Sequence, residues 1–361
     1  MAGSTPGAIV VGTGFGVLTH LRALRAAGFE ARALVGRDPE KTRDRAAQCD
    51  VPVGLTSLSE ALELADVDAV TIATPPHSHC AIALEAIAAG KHIVCEKPFA
   101  RNAEEAQRMH DAAEAAGVIH LMGNEFRFAT GQALATRAVR AGEIGEPRLA
   151  TFLFQMPSLA DASAEVPAWW SEASEGGGWL GAYASHVIDH MRCMLGEFTG
   201  LSASLQVVSE RPWTADDSYT IHFRTESGAE GVLQSSAAAR GPFVACSRVV
   251  GSQGTLWIEG DNVHVADKAG ERQLDLPDDL VLAPPSPPPG ELLHTAYDML
   301  HSMGIDLAPF TRIFEVLAAR MRGEPGVTDP APATFADGLA VQKVLDAVRL
   351  SAAERRWVAI E

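Results

Sequence analysis

Between residues 8 and 122, short apolar runs alternate with helical patterns at a regular spacing, which limits the fold of this 361-residue chain more than any other feature. The segments between the runs carry helix signals, such as the Asp38-Pro39 start and the Gly28 stop. Alternating strands and helices predict an α/β domain with a doubly wound parallel sheet. The predicted strands occupy residues 8–11, 31–35, 68–73, 91–95 and 118–122.

The pattern changes after Glu125, where the apolar runs are longer and several are separated by turn clusters. Consecutive strands with hairpin-type turns favour an α+β domain with an open-faced, mainly antiparallel sheet and helices. We therefore expect a domain boundary near residue 125, with domains at 1–125 and 126–361. The predicted strands of the second domain are residues 149–154, 202–208, 218–224, 231–237 and 255–259, and its predicted helices are residues 292–303, 310–321 and 334–350.

Charge and cysteine content narrow the possible partners. The chain has 29 Lys and Arg against 46 Asp and Glu, a formal net charge of −17, which disfavours nucleic-acid and anionic-membrane binding. No apolar run approaches the ~18 residues of a membrane helix, and no basic segment precedes an apolar stretch at the N-terminus. An odd number of cysteines without a CxxC pair predicts reduced thiols and a cytoplasmic location. The cysteines are Cys49, Cys80, Cys95, Cys193 and Cys246.

A glycine-rich loop lies between the first strand and the first helix. Glycines at this turn allow backbone N–H groups to approach a pyrophosphate at the helix N-terminus, so the loop predicts a dinucleotide cofactor. The usual third glycine would be residue 17, which is Val17, whereas Gly16 lies one place earlier. A generic strand-to-helix turn is the alternative interpretation. The predicted contacts are Gly12, Thr13, Gly14, Phe15 and Gly16.

The end of the second strand bears on the choice between NAD and NADP. An acidic residue there would bind the ribose 2′-hydroxyl of NAD, but the chain has Gly36-Arg37-Asp38. Arg37 could pair with a 2′-phosphate, so we expect NAD(P) binding with a preference for NADP(H). The alternative is that Arg37 is solvated and Asp38 only caps the next helix.

Three further motifs directly follow predicted strands and should lie at the same edge of the sheet. Lys97 is the first choice for chemistry, because a lysine beside a cofactor can stabilise charge on a reacting oxygen. The motifs supply further predicted cofactor contacts, namely Thr74, Pro75, His77, Glu96, Lys97 and Asn124.

These motifs resemble the glucose–fructose oxidoreductase, inositol dehydrogenase and rhizopine-catabolism (Gfo/Idh/MocA) family. The most specific match is Cys95-Glu96-Lys97-Pro98, combined with the glycines at 176–178 that precede His186. Residues 251–256 and 334–338 extend the similarity over nearly the whole chain.

The resemblance implies a Rossmann domain, an open-faced sheet domain for substrate and oligomerisation, and hydride transfer at a carbinol or carbonyl carbon of a sugar, cyclitol or polyol. It implies that Lys97 contacts the reacting oxygen, that Pro98 is often cis, and that His186 is the catalytic histidine. A shared site requires the second domain to fold over the nicotinamide end. A homodimer or homotetramer through the second sheet is also expected.

Two departures from the family pattern suggest a less polar substrate. Ala182 stands where many members have an aspartate, four residues before the histidine, and Trp169-Trp170 replaces Trp-Arg. Asp189 could partly substitute for that aspartate, although a helix cap or an ion pair is at least as plausible, and Tyr183 could simply be packed. The candidate substrate-binding residues are Arg127, Trp170, Tyr183 and Asp189.

Two other functional classes are consistent with the sequence. Loss of the aspartate at position 182 would suit a non-catalytic, dinucleotide-binding regulatory protein, and a C=N or C=C reductase would need an oxygen-centred relay less. Retention of Lys97 and His186 favours a dehydrogenase or reductase. No metal site is predicted, because His77, His79, Cys80 and His190 lie in helices that the cofactor interpretation already explains.

Overall fold

The computed structural model describes residues 5–360, and its first sheet is the predicted parallel one. Six parallel strands lie in the order β3-β2-β1-β4-β5-β6. β1 and β4 are buried at every residue, which explains their continuous apolar runs. The sequence analysis missed only the two-residue β3. The strands are β1 (Gly7–Val11), β2 (Glu30–Val35), β3 (Gly54–Leu55), β4 (Ala69–Ile72), β5 (His92–Cys95) and β6 (His120–Met122).

The helices between these strands begin at the predicted signals. Asp38 caps one of them by accepting from Lys41 N at 2.9 Å, and Asn102 accepts from Glu105 N at 2.9 Å. The first helix differs, because it opens with a π turn at Gly16–His20. The helices are α1 (Leu21–Ala26), α2 (Pro39–Gln48), α3 (Leu58–Leu62), α4 (Pro76–Ala88) and α5 (Ala103–Ala116).

The second sheet has nine strands in the order β14-β13-β12-β11-β7-β10-β9-β8-β15. Its pairs are antiparallel except β7 with β10, so the mainly antiparallel prediction is confirmed. The strands are β7 (Pro147–Gln155), β8 (Phe198–Gln206), β9 (Ser218–Thr225), β10 (Glu230–Ser236), β11 (Val244–Gly251), β12 (Gly254–Glu259), β13 (Asn262–Asp267), β14 (Gly270–Gln273) and β15 (Val358–Ala359).

One predicted helix of the second half is wrong. Residues 292–303 contain only the short α8, because Thr295 and Asp298 form a capping box that starts a new helix there. Pattern analysis also missed β11, whose Cys246-Ser247-Arg248 segment lacks an apolar alternation. The remaining helices are α6 (Thr130–Arg140), α7 (Ser185–Leu195), α8 (Ala296–Leu300), α9 (Leu307–Met321) and α10 (Phe335–Glu354).

The described chain forms two compact units. One contains the chain up to Glu125 together with Ala283–Leu339, and the other contains Phe126–Leu282 and the chain from Ala340 onward. This division differs from the predicted domain 126–361, since Ala283–Leu339 belongs with the parallel sheet. The reason is aromatic packing within the first unit: ring centroids are 4.5 Å apart for Phe310 and His20 and 4.6 Å apart for Phe335 and Phe99. None of the helices within residues 5–360 has both the length and the apolar character needed to cross a bilayer.

Candidate active site

The loops that follow the parallel strands lie side by side at the carboxyl edge of the first sheet. Because backbone hydrogen bonds continue past the strand ends, the loops containing Gly12, Thr74, Lys97 and Asn124 are neighbours at this edge, where open parallel sheets bind ligands. The bonds run from Gly12 N to Val35 O (2.8 Å), from Ala73 N to Val11 O (2.8 Å), from Glu96 N to Ile72 O (2.9 Å) and from Gly123 N to Cys95 O (2.7 Å).

The three glycines of the first loop have different structural reasons. Gly12 has φ of +125°, and a Cβ there would lie 2.2 Å from Ala73 O, so the turn requires glycine. A Cβ on Gly16 would lie 3.1 Å from Val10 Cγ1, so Gly16 brings the first helix close to β1. A Cβ on Gly14 would meet no described protein atom within 4 Å. Packing therefore does not explain Gly14, whereas the approach of a pyrophosphate to bare backbone does, and the loop fits a dinucleotide.

Phe15 and Thr13 of this loop point to different surroundings. The buried Phe15 ring lies 4.5 Å from the His301 ring and 5.5 Å from the Phe310 ring, centroid to centroid. A contact between Phe15 and a cofactor would therefore use its backbone rather than its ring. Thr13 is half-buried and faces the loop after β2, where a Cβ on Gly36 would lie 2.5 Å from Thr13 Cγ2.

The loop after β2 exposes a cation and uses its carboxylate locally. Arg37 is exposed, and Asp38 Oδ1 accepts from Lys41 N as the cap of α2. The carboxylate next to the expected ribose position is thus engaged with a helix N-terminus.

The loop after β4 is held by short polar contacts. Thr74 Oγ1 accepts a hydrogen bond from Ser78 Oγ at 2.7 Å, and Pro75 precedes the first residue of α4. His77 is half-buried. The buried His79 is a residue that sequence analysis did not assign, and its ring lies between Thr74 O (2.7 Å) and Phe99 O (3.2 Å). Burial lowers the pKa of His79, so this ring braces the loop as a neutral group.

Lys97 is half-buried directly beyond β5, and the Lys97–Pro98 peptide bond is cis. Its neighbour Glu96 is buried and accepts from Lys97 N at 3.1 Å and from His20 Nε2 at 3.0 Å. The other nitrogen of His20 lies 2.5 Å from Thr71 Oγ1. Glu96 therefore braces the Lys97 loop against the first helix and β4.

Beyond β6, Asn124 and Glu125 are both buried. Sequence analysis selected Asn124 but missed Glu125, whose carboxyl is 2% exposed. Burial, followed by the negative charges of Glu96 and Asp306, raises the pKa of Glu125 well above its usual range. The only sequence signal for Glu125 was its place directly after a strand end.

In the second unit, His186 lies in the first turn of α7. Its buried ring packs against Phe126 with 4.5 Å between centroids. Residues Leu180–Ala184, which include Ala182, form a π turn immediately before α7. Asp216 caps this turn by accepting from Leu180 N at 2.9 Å, and burial raises the pKa of Asp216 to about 7.

Arg127 and Asp189, both candidates for substrate binding, bind each other. Arg127 Nε lies 2.6 Å from Asp189 Oδ2, and its Nη2 lies 2.5 Å from Oδ1. Arg192 Nη1 lies 3.6 Å from the same carboxylate. This buried bidentate pair ties α7 to the segment that follows Phe126.

Trp170 and Tyr183 belong to an aromatic group on the second unit. Tyr183 stacks on Trp179 (5.0 Å between centroids, 8° between planes) and on Phe154 (4.3 Å, 27°). The buried Trp170 packs on Trp179 at 6.0 Å, and burial raises the pKa of Tyr183. Among residues 5–360, no group of three or more His, Cys, Asp or Glu side chains could hold a metal ion.

Comparison with known proteins places these features in one family. Residues 7–124 match the model described as an oxidoreductase family with an NAD-binding Rossmann fold, and residues 133–257 match the GFO/IDH/MocA C-terminal domain. Levoglucosan dehydrogenase of Pseudarthrobacter phenanthrenivorans is 31% identical over 327 residues, covering 81% of this chain and 80% of that protein. Human glucose-fructose oxidoreductase domain-containing protein 2 is 26% identical over 382 residues, covering 99% and 94%.

Solved structures agree with this assignment. A levoglucosan dehydrogenase in complex with NADH and levoglucosan superimposes with a TM-score of 0.82 at 26% identity, covering 98% of this chain and 99% of that one. The chain belongs to the Gfo/Idh/MocA oxidoreductase family, as the motifs indicated. It is an enzyme with an NAD-binding Rossmann domain, and the non-catalytic alternative is set aside.

Proposed function

We propose that this enzyme transfers a hydride between a nicotinamide dinucleotide and the carbinol or carbonyl carbon of a sugar, cyclitol, polyol or related, less polar molecule. The position of Lys97 carries the proposal, because this half-buried lysine directly follows β5 at the edge that holds the glycine loop. The similarity to a levoglucosan dehydrogenase with NADH and levoglucosan bound supports the same chemistry.

In this proposal, Lys97 binds the reacting oxygen and stabilises the charge that develops on it, and His186 assists proton transfer. Backbone N–H groups of residues 12–16 hold the pyrophosphate, and Thr74, His77 and Asn124 line the same edge. A bound nicotinamide supplies or accepts the hydride. Arg127 and Asp189 position α7, and with it His186, through their ion pair.

Substitution of Lys97 and His186 tests this assignment. We expect Lys97→Met and His186→Ala each to lower kcat/KM by about 10²- to 10⁴-fold, the range of general acid–base effects. Lys91→Met and His110→Ala are matched controls, since Lys91 donates to Val67 O and His110 contacts Asp111. Full turnover by both Lys97→Met and His186→Ala would show that the site is assigned wrongly.

The glycine loop offers a test of cofactor binding that does not depend on turnover. We expect Gly14→Ala to weaken dinucleotide binding by about tenfold or more while the melting temperature stays constant, because the added Cβ has free space in the protein. Gly12→Ala should lower the melting temperature, because its Cβ would clash with Ala73 O. Equal dinucleotide affinity in Gly14→Ala and the wild type would contradict the assignment.

We further propose a preference for NADP(H). Arg37 is exposed at the end of β2, and the neighbouring Asp38 carboxylate is engaged as a helix cap. Fluorescence titration should show tighter binding of NADPH than of NADH, and Arg37→Ala should remove the difference, whereas Arg43→Ala should keep it. Tenfold tighter binding of NADH by the wild type would overturn this preference.

A substrate with an apolar part suits the aromatic group of the second unit. Phe243 is 61% exposed and lies edge-on to Phe154 at 5.1 Å, so it extends the stacked Tyr183 and Trp179 rings towards solvent. A screen of sugars, sugar acids, cyclitols and aromatic ketones should find the highest kcat/KM for a substrate with an apolar part. Phe243→Ala should raise its KM, and Trp257→Ala should not. Turnover of simple sugars or inositols alone would refute the idea.

We also propose a cytoplasmic homodimer or homotetramer that assembles through the open face of the nine-stranded sheet. Leu149 and Val232 project from that face and are 54% and 37% exposed. All five cysteines lie within the described residues, and none forms a disulfide, which suits a reducing compartment. A light-scattering mass of a single chain would contradict the oligomer, and activity outside the cytoplasm in fractionated cells would contradict the location.

A further inference from the structure

Three buried carboxyl groups of the first unit form a cluster beside Lys97. Glu96 follows β5, Glu125 follows β6, and Asp306 precedes α9, and each is less than 9% exposed. We name Glu96, Glu125 and Asp306 the acidic cluster. A Cβ on Gly123 would lie 2.4 Å from Glu96 Oε1, so the Glu96 carboxylate lies directly against the loop that carries Glu125.

Two members of the acidic cluster are bound by histidines. His20 Nε2 lies 3.0 Å from Glu96 Oε1, and His301 Nδ1 lies 2.9 Å from Asp306 Oδ2. These contacts suit carboxylates that keep their negative charge. Glu125 has these two negative charges as neighbours.

Lys97 is the cation among the charged groups that act on Glu125, and its charge favours the ionised carboxyl. Burial and the other two carboxylates outweigh it and raise the pKa of Glu125, and the same surroundings raise the pKa of Tyr297. At neutral pH the acidic cluster therefore holds a proton on Glu125.

We propose that Glu125 is the proton reservoir of Lys97 during carbonyl reduction. The carbonyl carbon receives hydride, and its oxygen takes a proton from Lys97 Nζ, which leaves an amine and an alcohol product. The Glu125 carboxyl then returns a proton to that amine, so that a carboxylate and an ammonium remain, and solvent reprotonates Glu125 before the next turnover. This inference rests on the proposed role of Lys97. Because Glu125 acts through Lys97, it is a positioning and relay residue.

Infrared spectroscopy of the ligand-free protein tests the stored proton without any turnover. The wild type at pH 7 should show a protonated-carboxyl band that is absent from Glu125→Gln and shifted in Glu125→Asp. Asp216→Asn is the matched control, because Asp216 is the other described buried acid with a raised pKa near 7, and its substitution should leave the Glu125 band in place. Identical carboxyl bands in the wild type and Glu125→Gln would overturn the inference.

Kinetics test the relay itself. Glu125→Gln should lower kcat for reduction at pH 7 by about 10- to 100-fold, change KM little, and remove the alkaline decline of kcat that Glu125 ionisation causes in the wild type. Glu125→Asp should recover part of kcat. Glu105→Gln, which removes a buried carboxylate paired with Arg101, should change neither kcat nor the pH profile.

The outcomes separate this inference from the proposed function. If Lys97→Met is inactive while Glu125→Gln keeps the wild-type kcat and pH profile, the relay is wrong and the proposed function remains. If the wild type reduces no carbonyl substrate, the proposed function fails, whatever the infrared band shows. If Glu125→Gln does not fold, the wild-type band and its shift in Glu125→Asp decide.

Discussion

Glu125 and Asp189 are equally buried carboxyls, in different units, that lie close in sequence to residues proposed for catalysis. Each is 2% exposed. Glu125 has Glu96 and Asp306 as charged neighbours, whereas Asp189 is paired with Arg127 and lies near Arg192. The two sites therefore differ in the sign of the surrounding charge and not in burial.

This difference determines what each carboxyl can do. Negative neighbours favour the protonated form of Glu125, so this site can store and release a proton near neutral pH. The guanidinium groups favour the ionised form of Asp189, so this site links chain segments and does not suit proton transfer. Burial alone therefore does not indicate catalysis, and the charge of the neighbours must be considered with it.

Asp189→Asn should give the largest loss of stability. The substitution leaves the buried Arg127 and Arg192 guanidiniums without their shared carboxylate, and breaking a buried pair in this way costs about 3–5 kcal/mol. Urea unfolding at pH 7 measures the change. Glu324→Gln, which weakens an exposed pair with Arg322, should leave the urea midpoint unchanged. A similarly small effect for Asp189→Asn would mean that the two arginines find other partners.

Asp216 is an intermediate case, since backbone donors surround it and its pKa is about 7. The folded protein binds more protons than the unfolded chain between pH 4 and 7, so this carboxyl lowers the free energy of unfolding as pH rises. The loss amounts to about 4 kcal/mol, at about 1.4 kcal/mol per pKa unit. Asp216→Asn should remove this decline in urea titrations made across the pH range. An unchanged slope would contradict the raised pKa.

His190 gives the opposite dependence beside the Asp189 pair. Burial, opposed in part by a backbone hydrogen bond, and the charge of Arg127 lower the pKa of His190 to about 4. The folded protein then binds fewer protons than the unfolded chain between pH 4 and 6.5, so about 3 kcal/mol of stability disappears as pH falls through that range. His190→Gln should abolish this loss. Since the His190 and Asp216 slopes oppose each other, Asp216→Asn should make the His190 slope visible, and a flat profile in that variant would exclude it.

The sequence predicts the edge of the first sheet well because chain topology fixes it. In a parallel sheet all carboxyl ends meet at one edge, so Gly12, Thr74, Lys97 and Asn124 had to become neighbours once their strands were recognised. The same local logic predicted the caps at Asp38 and Asn102, which depend on residues three positions away.

What the sequence did not predict depends on partners that are distant along the chain. Asp306 lies 181 positions after Glu125, and Arg127 pairs with Asp189 across 62 positions, so neither charge environment follows a local pattern. The segment Ala283–Leu339 joined the first unit for the same reason, because Phe310 finds its aromatic neighbours in the first helix.

Glu125→Gln should have the smallest effect on stability and the opposite sign to Asp189→Asn. At pH 5 the carboxyl is protonated in the folded protein, so an uncharged amide of similar shape should change the free energy of unfolding by less than about 1 kcal/mol. As pH rises to 8, the wild type loses stability because its raised pKa makes ionisation of the buried carboxyl costly, whereas the amide has no such loss. The variant should therefore become more stable relative to the wild type between pH 5 and 8, measured by urea unfolding. A constant difference would mean that Glu125 is ionised throughout this range and that Lys97 outweighs the two carboxylates.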